Sequence, residues 1–173
     1  MSLTINTGTD ELLCLIDDRV ATITLNRPGK RNALSDSLTP ALRGILLELD
    51  TRQDVGCIVI TGAGSAFCAG GDISGMGAVS GDPSALEPTI QERTRALQHK
   101  HDTLTHRLFY HSKPTIAALP GVAAGAGLCI ALACDIRIAA ASAFVTTAYR
   151  NVGFSGDYGG SWLLNQLVGP AKT

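Results

Sequence analysis

Residues 114–134 read PTIAALPGVAAGAGLCIALAC, 21 residues without a charge. Length alone would let such a run span a bilayer. Its content argues otherwise. Pro114, Pro120, Gly121, Gly125 and Gly127 interrupt it, and most of the remainder is alanine. The stretch reads as a buried strand over 114–119, a glycine turn, and a helix of small residues to about Cys134. Working outward, residues 135–139 form a further strand, and 155–169 a glycine loop leading into an apolar helix. On the other side, Leu86, Ile90, Leu97, Leu104 and Leu108 mark a long helix ending near Ser112. Before it, residues 62–81 are rich in glycine, alanine and serine and read as a long loop with some helix.

Further upstream, VGCIVIT (55–61) is a short apolar run typical of a buried strand. Leu38, Ala41, Leu42, Ile45, Leu46 and Leu49 follow helical spacing on one face. Ser35 or Ser37 can cap that helix; Pro40 fits only in a first turn, which favours Ser37. LLCLID (12–17) and VATITL (20–25), joined by Asp18-Arg19, read as a hairpin. A loop over 26–32 follows and carries three positive charges. Strands alternating with helices predict an α/β layered fold with buried parallel strands. No internal repeat or linker is visible, so 1–173 reads as one domain.

Hydrophobic residues make up 45% of the chain and charged residues 17%, which excludes a disordered chain. The net charge of −1 gives no charge-driven attraction to nucleic acid or to an anionic membrane. Five cysteines, none in a C-x-x-C pair, fit reduced thiols in a cytoplasmic protein better than a disulfide framework. The N-terminus lacks the basic and apolar regions of a signal peptide. Glycine supplies 19 residues, above the ~7% of average usage.

Two loops share one design. Residues 67–73 (FCAGGDI) and 120–128 (PGVAAGAGL) each follow a buried strand, consist of small residues and lead into a helix. Backbone N–H groups there can approach a ligand closely, and a helix N-terminus adds unpaired donors. Two such loops facing each other make an oxyanion hole. The alternative is that small residues serve only tight strand–helix packing.

Several ordered blocks carry a family likeness: LNRP…KRNAL (25–34), ITG…AFCAGGDI (60–73), KPTIA…GVA…GAG…CD (113–135), GDYGGS (156–161) and LVG (167–169). From about residue 12 onward the chain resembles the crotonase superfamily, also called the enoyl-CoA hydratase/isomerase family. The resemblance implies a spiral of ββα units that binds acyl-CoA. It implies that the N–H groups of Gly71 and Ala126 polarise the thioester carbonyl and stabilise an enolate-like oxyanion. It places Ala69, Asp72 and Ile73 along the CoA path, with Arg27 and Lys30 near its phosphates; without it, the two cations read as a solvated basic turn. No metal and no cofactor beyond the CoA moiety is implied. A homo-oligomer, trimer or hexamer, is.

The departures from the family pattern matter as much. Hydratases of the family use two glutamates to position and activate water. At the matching positions this chain has Cys129 and Ala148, neither of which does carboxylate chemistry. Asp157 remains, in the glycine loop where some isomerases and dehalogenases of the superfamily carry a catalytic aspartate. Its alternative role is to sit near a helix N-terminus, stabilised by the dipole. Tyr149 and Tyr158 either assist it or pack.

Other signals are weaker. His99, His101, His106 and His111 share one helix but lack metal-ligand spacing. GAGSAF (62–67) has Phe67 where a dinucleotide fingerprint needs glycine, and GFSGD (153–157) ends in Asp157 where a serine-hydrolase elbow needs glycine. The chain also stops earlier than the family pattern, so the C-terminal lid and trimerisation helices are expected to be absent. Three functions remain in view: single acid/base chemistry such as isomerisation, non-catalytic acyl-CoA binding, and an assembly subunit.

Overall fold

A computed structural model describes residues 2–74 and 88–173. The expected helix start at Leu86 and loop end at Gly81 lie outside the described residues.

The hairpin forms as its alternation requires. β2 (Leu12–Asp17) and β3 (Val20–Leu25) pair antiparallel, Leu12 opposite Leu25 and Asp17 opposite Val20. Asp18 and Arg19 both have positive φ, 45° and 65°, the twist that lets a two-residue turn close a hairpin. β1 (Leu3–Ile5) adds an outer strand to β2. From β3 the sheet continues in parallel through β4 (Cys57–Gly62), β6 (Thr115–Leu119) and β8 (Ile136–Ala139).

A second, three-stranded parallel sheet was not foreseen. It consists of β5 (Ala66–Cys68), β7 (Val122–Ala124) and β9 (Val145–Thr146). These strands have two or three residues each, too few to show a period; β5 and β7 lie where the sequence reads as loop and glycine turn, and β9 lies in a stretch given no element. With them, strand–strand–helix recurs along the chain. β6 and β7 precede α4 (Ala126–Ala133), and β8 and β9 precede α5 (Gly160–Val168). The repeat is one of backbone path, not of side chains, so it leaves no trace as sequence similarity. Adjacent turns of the spiral touch backbone to backbone. A Cβ on Gly121 would lie 2.0 Å from the Ser65 carbonyl oxygen, so only glycine fits that crossing.

Parallel strands are buried where they are central and not at the edge. Ile58, Ile60 and Ala117 are fully buried, whereas Ile136 and Ile138 on β8 are more than half exposed. Nothing among the described residues pairs with the outer side of β8.

α1 (Leu38–Thr51) buries Leu38, Leu42, Ile45, Leu46 and Leu49, the face set by its period. Ser37 is its boundary residue, but its side chain makes no cap. The Ser35 hydroxyl does, accepting from the N–H of Leu38 at 3.0 Å. α2 (Ile90–His101) starts at a capping box, Thr89 with Glu92, a T-x-x-E signal present in the sequence. No residue of α2 is buried, and Ile90 and Leu97 are exposed. Its continuation, a π-helical turn (Asp102–His106) and α3 (Arg107–Phe109), packs inward through Leu104 and Leu108. All five cysteines are free thiols, and all but Cys57 are buried. No helix among the described residues is long and apolar enough to cross a membrane.

One polar residue ties the loop before α1 to the spiral. Asn32 is fully buried. Its amide donates to the carbonyls of Ala63 (2.9 Å) and Ala66 (2.8 Å), and its Oδ1 accepts from the Arg27 N–H (2.8 Å). Asn32→Ala leaves these backbone groups without partners. We expect a loss of about 2 kcal/mol in urea unfolding; a midpoint within error of the parent would show that the amide is dispensable.

Candidate active site

The two small-residue loops meet at the ends of β5 and β7. Gly70 adopts φ 95°, and a Cβ there would lie 3.0 Å from the Ala124 carbonyl oxygen and 3.6 Å from the Ala126 nitrogen. Leu34 bridges to the first loop in parallel fashion: its N–H donates to the Gly70 carbonyl and its carbonyl accepts from Asp72. That pattern leaves the N–H of Gly71 directed away from the Leu34 strand. Gly125 donates to Thr146, and Ala126 opens α4, so its N–H has no partner within the helix. Neither the Gly71 nor the Ala126 N–H enters a hydrogen bond among the described residues.

Both residues line one open cleft of about 1000 Å3. Lys30, Ala69, Asp72, Ile73 and Asp157 lie on the same lining. Of the expected site residues only Arg27 does not. Its guanidinium is held by Glu11 (3.1 Å), Asp72 (2.9 Å) and the Ala33 carbonyl (2.7 Å). Arg27 is therefore a strut between the hairpin and the first loop, with its guanidinium engaged by protein partners. Ser74, through its hydroxyl and its N–H, and then Arg27 hold the Asp72 carboxyl well below the usual carboxylate range. Asp72 thus stays charged and paired.

Asp157 stands in the half-buried bend ahead of α5. Its Oδ1 accepts from the Tyr149 phenol at 2.8 Å, and that phenol oxygen lies 3.2 Å from the Cys129 sulfur. Tyr158, the next residue, is buried; its N–H donates to His101 Nε2 (2.9 Å) and its hydroxyl accepts from Arg43 (3.3 Å). In the sequence His101 stands out only among four histidines without metal-ligand spacing, and Arg43 is not singled out. Behind Tyr149 a smaller cavity of about 260 Å3 lies between α4 and α5. Among the described residues no three His, Cys, Asp or Glu side chains gather at a common point.

Of the two positions where family hydratases have glutamates, one lines the cleft and the other lies behind it. Ala148 lines it at a left-handed φ of 57°. Cys129 is buried behind Tyr149, and burial pushes its thiol up to about 11.

A family model described as enoyl-CoA hydratase/isomerase matches residues 16–173. The chain belongs to the enoyl-CoA hydratase/isomerase family. It is 38% identical over 161 residues to the "Probable enoyl-CoA hydratase EchA14" of Mycobacterium tuberculosis (strain ATCC 25618 / H37Rv), covering 93% of this chain and 59% of that protein. It is 36% identical to the 1,2-epoxyphenylacetyl-CoA isomerase of Escherichia coli (strain K12), with the same coverage. Among solved structures, a probable enoyl-CoA hydratase/isomerase from Mycobacterium abscessus superimposes with a TM-score of 0.77 at 32% identity, covering 94% of this chain and 60% of that one. The chain therefore spans about three-fifths of the length of these enoyl-CoA hydratase/isomerase relatives. The strand–strand–helix spiral is the crotonase fold.

Proposed function

We propose that the protein acts on acyl-CoA thioesters through an enolate held by the N–H groups of Gly71 and Ala126, with Asp157 as its single acid/base. The observation that carries this reading is the shared cleft, which brings Asp157 and two backbone donors without partners among the described residues onto one lining. Negative charge develops on the thioester oxygen as a proton leaves the neighbouring carbon. Donors fixed in the backbone need no reorganisation to meet that charge, and each is typically worth about 2.7–4 kcal/mol in the transition state.

Three carboxylates line the cleft among the described residues: Asp36, Asp72 and Asp157. Asp72 is committed to Arg27, and Asp36 is exposed on the Ser35 side. Asp157 is held by the neutral Tyr149 phenol and by no cation among the described residues. With Cys129 and Ala148 at the two glutamate positions, moving a proton between carbons fits better than adding water. Lys30, Ala69, Asp72 and Ile73 lie where the CoA moiety would run, and the chemistry needs no cofactor beyond it.

A second reading, acyl-CoA binding without turnover, is favoured by the same two replacements. The two part in heavy water. With acetyl-CoA and phenylacetyl-CoA as probes, mass spectrometry is expected to show deuterium entering at Cα in the presence of the protein. Saturable binding with no exchange and no product would establish the binder and sink the enzyme.

A further inference from the structure

Asp157 does not stand alone. Tyr149 opens a 3-10 turn (Tyr149–Val152) directly after the left-handed Ala148. Its carbonyl accepts from the Phe154 N–H at 3.0 Å, which closes the loop that carries Asp157. The ring of Tyr149 lies under the bend at Gly156, where an added Cβ would sit 3.6 Å from it. The same residue therefore holds the Asp157 loop by its backbone and the Asp157 carboxylate by its phenol.

The direction of the hydrogen bonds follows from chemistry. An ionised carboxylate only accepts, so the single phenol hydrogen of Tyr149 goes to Asp157 Oδ1 at 2.8 Å. The phenol oxygen is then left as an acceptor, and the single Cys129 thiol hydrogen has two acceptors in reach, that oxygen at 3.2 Å and the Asp157 carbonyl at 3.6 Å. Burial, with Cys129 and Asp157 as neighbours, pushes the phenol above its ordinary range, so it keeps its proton. Oδ2 of Asp157 makes no hydrogen bond among the described residues and belongs to a side chain that lines the cleft.

We propose that Tyr149 is the positioning residue for Asp157, donating to Oδ1 so that the carboxylate is held in one orientation and offers Oδ2 to the acyl group, with the Cys129 thiol packed behind the phenol. The inference rests on the acid/base reading of Asp157 given above. In that chemistry Oδ2 takes a proton from an acyl carbon, and the C–H electron pair passes into the thioester enolate. The proton then returns to the same or another carbon, so nothing is oxidised or reduced. In this role Tyr149 transfers no proton and acts through the carboxylate. Cys129 thus takes a supporting place at the position where family hydratases have a glutamate.

The test is the rate of deuterium incorporation into a bound acyl-CoA thioester, measured across pH with the full 173-residue chain. Tyr149→Phe is expected to lower the maximal rate about tenfold and to move the acidic limb of the profile to higher pH, because a hydrogen bond donated to a carboxylate favours its charged form. Thioester affinity should stay within about twofold. Cys129→Ser, which keeps a donor, should keep the rate, whereas Cys129→Ala should lower it about two- to threefold. If Tyr149→Phe is not recovered folded, 3-fluorotyrosine at 149 probes the same bond. Its stronger donor should move the acidic limb to lower pH. An unmoved limb in either Tyr149 variant, while Asp157→Asn is inactive, overturns the positioning role and leaves the acid/base reading standing. Full activity in Asp157→Asn instead removes both.

Discussion

Asp157→Asn should lower turnover of acyl-CoA thioesters by about 10²–10⁴-fold, the usual range for a lost acid/base group. The substitution is close to isosteric. The Asn amide oxygen can still accept from the Tyr149 phenol, which in the parent lies 2.8 Å from Oδ1. Loop geometry and thioester binding should therefore persist, and the loss should appear in kcat rather than in Kd. No neighbour can substitute. Asp72 is locked to Arg27 at 2.9 Å, Ala148 has no functional group, and the Cys129 thiol is buried and held protonated. Steady-state kinetics with a panel of thioesters reads the result. A rate within twofold of the parent would take Asp157 out of the mechanism, and with it the single acid/base chemistry.

The second large effect concerns the junction of the two loops. A Cβ on Gly127 would lie 2.4 Å from the Cys68 carbonyl oxygen, 2.6 Å from its Cβ and 2.8 Å from its sulfur. Contacts under 3 Å to backbone cannot be relieved by a side chain turning aside, so α4 or β5 must shift. Gly127→Ala is expected to cost about 3 kcal/mol or more, the upper part of the range for overpacking, and to lower Tm by about 6–12 °C. The shift would also displace Ala126, the adjacent residue, so exchange activity should fall beyond the loss of folded protein. Gly44→Ala is the control. Gly44 is exposed in α1 with open space around its Cβ position. There alanine should raise stability by about 0.5–1 kcal/mol through helix propensity. Equal melting temperatures for Gly127→Ala and the parent would mean that the first turn of α4 is free to move away from β5.

The large sheet and α1 were legible because their periods run over enough residues to be read. Leu12, Cys14 and Ile16 alternate inward on β2, and Leu38, Leu42, Ile45, Leu46 and Leu49 share the buried face of α1. The small sheet was not, since β5, β7 and β9 are held by pairing across turns of the spiral and not by any pattern of their own. α2 shows the converse. Its apolar spacing is sound, yet Ile90 and Leu97 are exposed, because a helical stripe states which face is apolar and not what covers it. At the site, the small residues of the two loops signalled close backbone approach, and Gly71, Ala126 and Asp157 do share a lining. For Arg27 the sequence offered no distinction, because a cation in a basic loop looks the same whether it faces a ligand or an internal carboxylate. Its partners Glu11 and Asp72 are 16 and 45 residues away in the chain.

By itself the order of residues determined the alternation of strands and helices, the two glycine-bearing loops, and the lack of carboxylates at 129 and 148. These are local properties, written in period, in residue size and in the presence or absence of a functional group. Only the tertiary structure decided which donors remain unpaired, which cation is locked inside, and that Cys129, Tyr149 and Asp157 form one hydrogen-bonded line. Those outcomes depend on contacts between turns of the spiral, where a few tenths of an ångström separate a bond from a gap, and no spacing along a chain encodes such distances.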